Sequence, residues 1–197
     1  ECLVGSEMCI RDRWKMMLED YCVIDLEMTG LNPKHHKILE VAAVRVRKKE
    51  IVSECSMLIR QHQLLEEKIT ELTGIDQEML AGAKEEDEVL DHFFGFLGED
   101  ILVGQNVIFD YSFLKQAAIN RKMSFERKAA DTLKIARRCL PALEKRTLDA
   151  LCGYYGIEIG HHHRALDDAK ATYLLYERLE KEFGAVQAAV SYTHLRA

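Results

Sequence analysis

Three segments near the start of the chain have hydrophobic patterns typical of β-strands, which predicts three successive strands. Residues 21–24 are apolar and lead into Asp25 and Glu27, and Thr-Gly at the end of this run predicts a turn. Residues 38–47 predict a second strand, in which residues 41, 43 and 45 face one way and residues 42, 44 and 46 the other. Residues 51–59 resume as a third strand after a short polar turn. The last two strands therefore form a hairpin, and the sheet is expected to begin antiparallel.

Helical periodicity dominates the rest of the chain. Two short apolar segments, at 101–103 and 128–130, predict strands between the helices. Helices are predicted over residues 66–73, 85–97, 110–121, 131–139, 147–155 and 164–183. Strands first and helices interleaved afterwards predict one α/β domain, with a mixed sheet that starts antiparallel and is flanked by helices.

The domain is expected to span residues 16–186, because 197 residues suffice for a single core. In the two end segments, 1–15 and 187–197, residues 2–13 have neither helical nor strand periodicity and residues 190–197 break off in mid-pattern. We expect both to be disordered or non-native tails.

Composition indicates a cytoplasmic protein with no membrane partner. No apolar run approaches the length of a membrane span, and no secretory signal opens the chain. The six cysteines are scattered without a C-x-x-C pair, which is typical of reduced thiols. The net charge of −6 argues against a nucleic-acid binder that works by overall positive charge, although local basic patches are compatible with it.

Asp25 and Glu27 are the first candidates for chemistry. Strand side chains alternate between faces, so both carboxylates point the same way, with Leu26 opposite. Two neighbouring carboxylates in a buried strand repel each other and lose hydration, and protonation or a metal cation is the usual compensation. A strand end that has reached solvent is the alternative, and this stretch by itself leaves both interpretations open.

The last predicted helix carries two adjacent aspartates with different phases. At 100° per residue Asp168 falls on the apolar stripe, whereas Asp167 shares the polar face of Arg178 and Lys181. A carboxylate on a buried helical stripe needs a partner. Asp168 is therefore expected to turn inward. The stripe consists of Ala165, Thr172, Leu175, Leu179 and Phe183.

Two further residues have competing interpretations. Asp110 opens a predicted helix, where an N-cap accepting backbone amides is the structural expectation and metal binding the alternative. His163 is the last of three consecutive histidines, which by themselves indicate a surface loop or an adventitious metal-binding tract. A regular helix would place His163 roughly 140° from Asp168, so the two can share a site only if His163 lies on non-helical backbone.

Three segments together resemble a known family. Residues 23–31, 104–114 and 163–169 are similar, in the same order, to the three sequence motifs of the DEDDh 3′→5′ exonucleases. The likeness covers about residues 20–183. Three motifs in order are far more specific than any one of them.

The resemblance implies a ribonuclease H-like fold and a two-metal-ion site. Asp25, Glu27, Asp110 and Asp168 would bind two divalent cations, Mg²⁺ or Mn²⁺, and His163 would be the general base. The products would be nucleoside 5′-monophosphates released from a 3′ end.

The resemblance also suggests which residues contact the substrate. We assign these contacts to Met28, Thr29, Leu31, Asn106 and Phe109, with Leu31 as an apolar wedge against the terminal base. For Thr29 and Leu31, structural roles in the turn and the core remain open.

The motifs point to two different substrates, RNA and DNA. Residues 25–31 resemble the first motif of oligoribonucleases, which act on RNA. Residues 104–114 and 147–157 resemble the epsilon-type proofreading exonuclease of bacterial DNA polymerase III, and this likeness is the longer one. We therefore expect a single-stranded DNA 3′ end as substrate, with RNA as the alternative and a DNA polymerase subunit as a candidate partner. A non-catalytic nucleic-acid-binding module is less favoured, because a pure binder gains nothing from clustered acids near phosphates.

Basic residues are candidates for a path along the substrate backbone, with solvated surface positions as the alternative. The candidates are Arg121, Lys122, Arg127, Lys128, Arg137, Arg138, Lys145, Arg146 and Arg164.

Overall fold

The computed structural model describes residues 18–160, 164–183 and 189–191, which form a mixed β-sheet between two layers of helices. The strands are β1 (Tyr21–Met28), β2 (Ile38–Arg47), β3 (Glu50–Leu58), β4 (Leu102–Gly104), β5 (Lys128–Asp131) and β6 (Ala189–Ser191). The helices are α1 (Glu67–Thr73), α2 (Gln77–Ala81), α3 (Glu86–Leu97), α4 (Ile108–Asn120), α5 (Thr132–Cys139), α6 (Leu148–Tyr155) and α7 (Ala165–Phe183).

The sheet has the order β3-β2-β1-β4-β5-β6. The β1–β2 and β2–β3 pairs are antiparallel, β4 lies parallel to β1 and β5, and β6 is antiparallel to β5. The predicted α/β class and antiparallel start are confirmed. Within the β1–β2 register Asp25 faces Ala42 and Glu27 faces Glu40, with an irregularity between Glu27 and Met28.

Successive residues of β1 contribute to two different cores, one on each face of the sheet. Cys22, Ile24 and Leu26 pack in one cluster with residues of α3 and α4. Tyr21 and Val23 pack in the other with residues of α5, α6 and α7. Asp25 and Glu27 continue the second row, because strand side chains alternate. The carboxylates are therefore directed to the side of the sheet that α7 covers.

Most predicted helices are confirmed within a few residues, and their ends have identifiable causes. Asp131 caps α5 by accepting hydrogen bonds from the backbone amides of Leu133 and Lys134, as the sequence predicted. Gly156 ends α6 in the left-handed region at φ 64°. The helix α2 was not predicted, because five residues are too short to show helical periodicity.

Residues 189–191 form β6 inside the range predicted to be a C-terminal tail. Residues 1–15 lie outside the described residues, and the domain bounds remain a prediction. In the part of the chain that the structure describes, no helix combines the length and apolar character that crossing a membrane requires. The four cysteines in that part, Cys22, Cys55, Cys139 and Cys152, are all free thiols.

Candidate active site

Three carboxylates meet at the end of β1. Oxygens of Asp25, Glu27 and Asp168 lie within 4.8 Å of one another, and all three side chains are partly buried. Asp25 and Glu27 come from one face of β1, and Asp168 comes from the first turn of α7. The inward direction predicted for Asp168 from helical phase is confirmed.

Asp110 joins this group by a different route from the one predicted. The helix α4 begins at Ile108 with Val107 at the N-cap, so Asp110 is its third residue and the interpretation of Asp110 as N-cap is wrong. Its Oδ1 instead accepts a hydrogen bond of 2.9 Å from the backbone amide of Leu26. This amide needs an acceptor, because β1 runs past the end of its short parallel neighbour β4.

Burial makes the acids of this site hard to ionise. The pKa of Asp25 is raised well above its usual value by burial first, and then by the charges of Asp110, Asp168, Glu27 and Glu40. Burial also raises the pKa of Asp110 to about 7, although its backbone hydrogen bonds, including the one from Leu26, act in the opposite direction.

Glu27 is affected in the same way. Burial raises its pKa to about 8, with further contributions from Asp168, Glu40 and Asp110, whereas the positive charge of Arg164 lowers it. A cluster of acids that cannot all ionise on their own is stabilised by a cation bound between them.

The donor set fits a hard divalent cation. The clustered ligand atoms are carboxylate oxygens, which Mg²⁺ and Mn²⁺ prefer, and no histidine or cysteine belongs to the cluster among the described residues. The acids come from two elements far apart in sequence and converge on one point. The prediction that these acids lie together is supported by this geometry, and their catalytic roles stay a prediction.

The comparisons with known proteins give the site its context. A family model described as exonuclease, the RNase T family, matches residues 22–176. The chain belongs to this exonuclease family. The match includes β1, α4 and most of α7, and therefore the four acids.

The relatives of this exonuclease domain include much longer proteins. It is 37% identical over 168 residues to a PolC-type DNA polymerase III of Clostridium perfringens, and the alignment covers 85% of this chain but 12% of that relative. The chain thus spans about an eighth of the length of the curated relative it matches.

Solved structures share the fold. Exonuclease X in complex with 5′ overhanging duplex DNA superposes with a TM-score of 0.70 at 27% identity, covering 86% of this chain and 97% of that one. The nuclease domain of 3′hExo, described as a DEDDh family member bound to rAMP, gives a TM-score of 0.73 at 21% identity, covering 88% and 97%. The ribonuclease H-like fold implied by the sequence motifs is confirmed.

The predicted substrate residues on the loop after β1 differ in environment. Leu31 is 68% exposed, so a role in the core is wrong and its side chain is available for contact. Thr29 is held in the turn, where its amide donates to the Lys37 carbonyl and its hydroxyl accepts from the Lys37 amide, both at 2.9 Å. Met28 packs against the core under α3 and α4.

The exonuclease domain positions Asn106 and Phe109 through a strained loop. Asn106 has a φ of 55°, which is unusual for a residue with a side chain, and its amide donates to Asp131 Oδ1 at 3.0 Å. Gly104 approaches closely enough that a Cβ would lie 2.7 Å from a methyl group of Val107. The loop between β4 and α4 is therefore held by the Asn106–Asp131 bond and packed closely at Gly104, with partly buried Phe109 in the first turn of α4.

His163 lies outside the described residues, so its role as general base remains a prediction. The residue after it, Arg164, leads directly into α7 and pairs with Glu40 of β2. Glu40 was missed in the sequence. The available signal was an acid within the otherwise apolar segment 38–44 of a buried strand.

Several of the basic residues proposed for a substrate path are bound within the protein itself. Arg121 pairs with Asp87 and Asp91, and Arg127 binds the Gly98 carbonyl and Glu99. The guanidinium of Arg146 donates to the carbonyls of Leu140 and Pro141. These arginines stabilise local structure, a role that was predicted neither by the substrate path nor by the alternative of solvated surface positions.

Proposed function

We propose that this chain is a metal-dependent 3′→5′ exonuclease domain that hydrolyses single-stranded DNA from its 3′ end to nucleoside 5′-monophosphates, in proofreading or repair. The observation that carries the proposal is the convergence of the Asp25, Glu27 and Asp168 oxygens within 4.8 Å, with Asp110 bonded to the same strand at Leu26.

In this proposal Asp25, Glu27, Asp110 and Asp168 hold two divalent cations, Mg²⁺ or Mn²⁺. When bound, such a pair activates a water molecule and stabilises the attacking and leaving oxygens of a phosphodiester. The carboxylates would place the cations at the end of β1, and the burial of these side chains limits the access of bulk water to the site. His163 would take the proton of the attacking water, since an imidazole titrates near neutral pH.

The 3′-terminal nucleotide is expected to lie over the loop after β1 and the start of α4. Leu31 is exposed and would pack against the terminal base, while Thr29 and Met28 shape the adjoining wall. Asn106 and Phe109 would contact the nucleotide from the loop between β4 and α4. Similarity to exonuclease X with bound DNA and to PolC-type polymerases supports DNA as the substrate.

Three finer points belong to the same proposal. A DNA polymerase subunit is the proposed protein partner, because the curated relatives are polymerase chains, and the proposed location is the cytoplasm. RNA remains the second substrate, because residues 25–31 resemble the first motif of oligoribonucleases.

The test is digestion of 5′-labelled single-stranded DNA, long RNA and RNA dinucleotides with Mn²⁺ or Mg²⁺, and in parallel with EDTA. We expect metal-dependent shortening of the DNA from its 3′ end. Asp25→Asn should lower the rate at least about a hundredfold, since it removes a proposed metal ligand while keeping the side-chain volume. Asp91→Asn is the matched control, because Asp91 is an exposed acid that pairs with Arg121 on the surface.

The outcomes separate the alternatives. Shortening of the dinucleotide RNA alone would make the chain an oligoribonuclease-like enzyme. No digestion of any of the three substrates by the wild-type protein with metal would refute the enzymatic proposal. Equal loss of activity in the Asp91→Asn control would mean that the effect of Asp25→Asn is not specific to the site.

A further inference from the structure

We propose that Glu40 is a positioning residue of the metal site: it holds Arg164 and the start of α7, so that Asp168 faces the other acids and the guanidinium stays off Glu27. This inference rests on the proposed function, because it concerns how the site is kept ready for a cation. Glu40 itself lies outside the cluster of ligand oxygens.

Glu40 is an unusual residue for its place in the fold. It lies in β2 directly opposite Glu27 in the antiparallel register, and it is 1% exposed. A fully buried carboxylate beside other acids is costly unless it is paired and hydrogen-bonded. Its partners therefore indicate what it does.

Glu40 receives four hydrogen bonds on its two oxygens. Arg164 donates from Nε to Oε2 at 3.2 Å and from Nη2 to Oε1 at 3.1 Å, a two-point pair with fixed geometry. The Ser56 hydroxyl donates to Oε1 at 3.1 Å, and the Ala165 amide donates to Oε2 at 3.3 Å. The last of these bonds connects the sheet to the helix.

This contact sets the start of α7. Ala165 is the first residue of α7, and its amide has no acceptor within the helix, so Glu40 satisfies it and places a negative charge at the positive end of the helix dipole. The Asp168 amide in turn donates to the Arg164 carbonyl at 3.1 Å. The first helical turn, which carries Asp168, therefore starts from Arg164, and Arg164 is bound by Glu40.

The same pair controls the charge next to Glu27. The acids that act on the Arg164 guanidinium are Glu40 first, then Asp167 and Glu27, so Arg164 lies within electrostatic reach of a proposed metal ligand. The two-point pair engages the guanidinium on Glu40, the cross-strand neighbour of Glu27. A guanidinium released from Glu40 would pair with the remaining acids and compete with a cation for Glu27.

The test measures Mn²⁺ binding by isothermal titration calorimetry, with folding checked by circular dichroism. Glu40→Gln should weaken Mn²⁺ binding at least about tenfold, because it frees the guanidinium. The double variant Glu40→Gln/Arg164→Gln should recover only part of that loss, because no guanidinium is left to compete but the pair that holds the start of α7 is still missing. Loss of a purely structural contact would not be repaired in this way.

Glu54→Gln is the matched control. Glu54 of β3 pairs with Lys170 of α7 at 2.8 Å, so it is also a sheet carboxylate bound to a cation of α7, but its side chain is 40% exposed where that of Glu40 is 1% exposed. Its removal should leave Mn²⁺ binding unchanged.

Arg164→Lys is a second variant should Glu40→Gln fail to fold. It keeps the positive charge and loses the two-point geometry, so weaker Mn²⁺ binding is again expected.

Unchanged affinity in folded Glu40→Gln, or in Arg164→Lys, would overturn the inference. A double variant as weak as Glu40→Gln would overturn the competition by Arg164. Wild-type protein that binds no Mn²⁺ would instead refute the proposed function, which keeps the two failures distinct.

Discussion

At the scale of single residues, Glu27 shows how burial prepares an acid for a cation. Its pKa rises from 4.5 to about 8, with burial as the largest cause. In metal-free protein the folded state therefore keeps the Glu27 proton to a higher pH than the unfolded state does. A cation that binds the carboxylate reverses this preference, because it stabilises the ionised form.

The stability of the metal-free protein should consequently fall with rising pH. The folded state binds the Glu27 proton more tightly than the unfolded state does. Ionising Glu27 therefore lowers the free energy of unfolding: the loss is absent below about pH 4.5, grows up to pH 8 and is complete above pH 8. Glu27→Gln should remove that loss and be more stable than wild type by about 1–3 kcal/mol at pH 8, with little difference at pH 4.5. Thermal unfolding in EDTA at four pH values measures this.

A stability difference between Glu27→Gln and wild type that does not change with pH would contradict the explanation. The exposed surface acid Asp91 offers a control, since Asp91→Gln should show no comparable rise in relative stability between pH 4.5 and 8.

At the scale of elements, Asp131 ties the loop before α4 to the start of α5. Its side chain is fully buried, and Oδ1 accepts from the amides of Asn106 and Leu133, both at 3.0 Å. A single carboxylate thus caps one helix and holds the left-handed residue that leads into another.

Asp131→Ala should therefore cost more than loss of an ordinary helix cap. Removal leaves the part-buried amides of Asn106, Leu133 and Lys134 without this acceptor, so the expected loss is about 2–3 kcal/mol. Asp76→Ala is the comparison, because Asp76 caps α2 with an exposed bond to the Met79 amide and should cost about 1 kcal/mol. Urea denaturation measures both, and an equal loss in the two variants would show that the Asn106 contact adds nothing.

At the scale of the whole molecule, the site joins distant parts of the chain. The Leu26–Asp110 bond spans 84 residues, and the contact from Glu40 to Arg164 spans 124. Because the acids meet only in the folded chain, a cation that binds them stabilises the folded state over the unfolded one.

Mn²⁺ should raise the melting temperature, and EDTA should reverse the rise. At a Mn²⁺ concentration a hundredfold above its dissociation constant, the gain in stability is expected to be about 2.7 kcal/mol. Asp168→Asn should remove most of that gain, because it takes away one of the three clustered ligands. An Asp168→Asn protein with the full Mn²⁺-dependent shift would exclude Asp168 as a ligand.

Much of the architecture could be predicted because it depends on local periodicity. The apolar run of β1, the strand pattern of β2 and the stripe of α7 are visible within ten to twenty residues. The helix α2 was too short to detect, and the start of α4 was misplaced because Asp110 is a good N-cap residue by type. Residue type says which partners a carboxylate can accept, but not which of them packing brings near.

The sequence by itself determined that Asp25 and Glu27 share a face and that Asp168 turns inward, because strand and helix geometry fix the direction of each side chain. Its three motifs also identified the exonuclease family. Only the tertiary structure decided that Asp110 bonds Leu26 and that Glu40 holds the start of α7. The first contact forms where β1 extends beyond the end of β4, and the second forms where β2 packs against α7. Both depend on packing between elements distant in sequence, and a local sequence pattern carries no information about such packing.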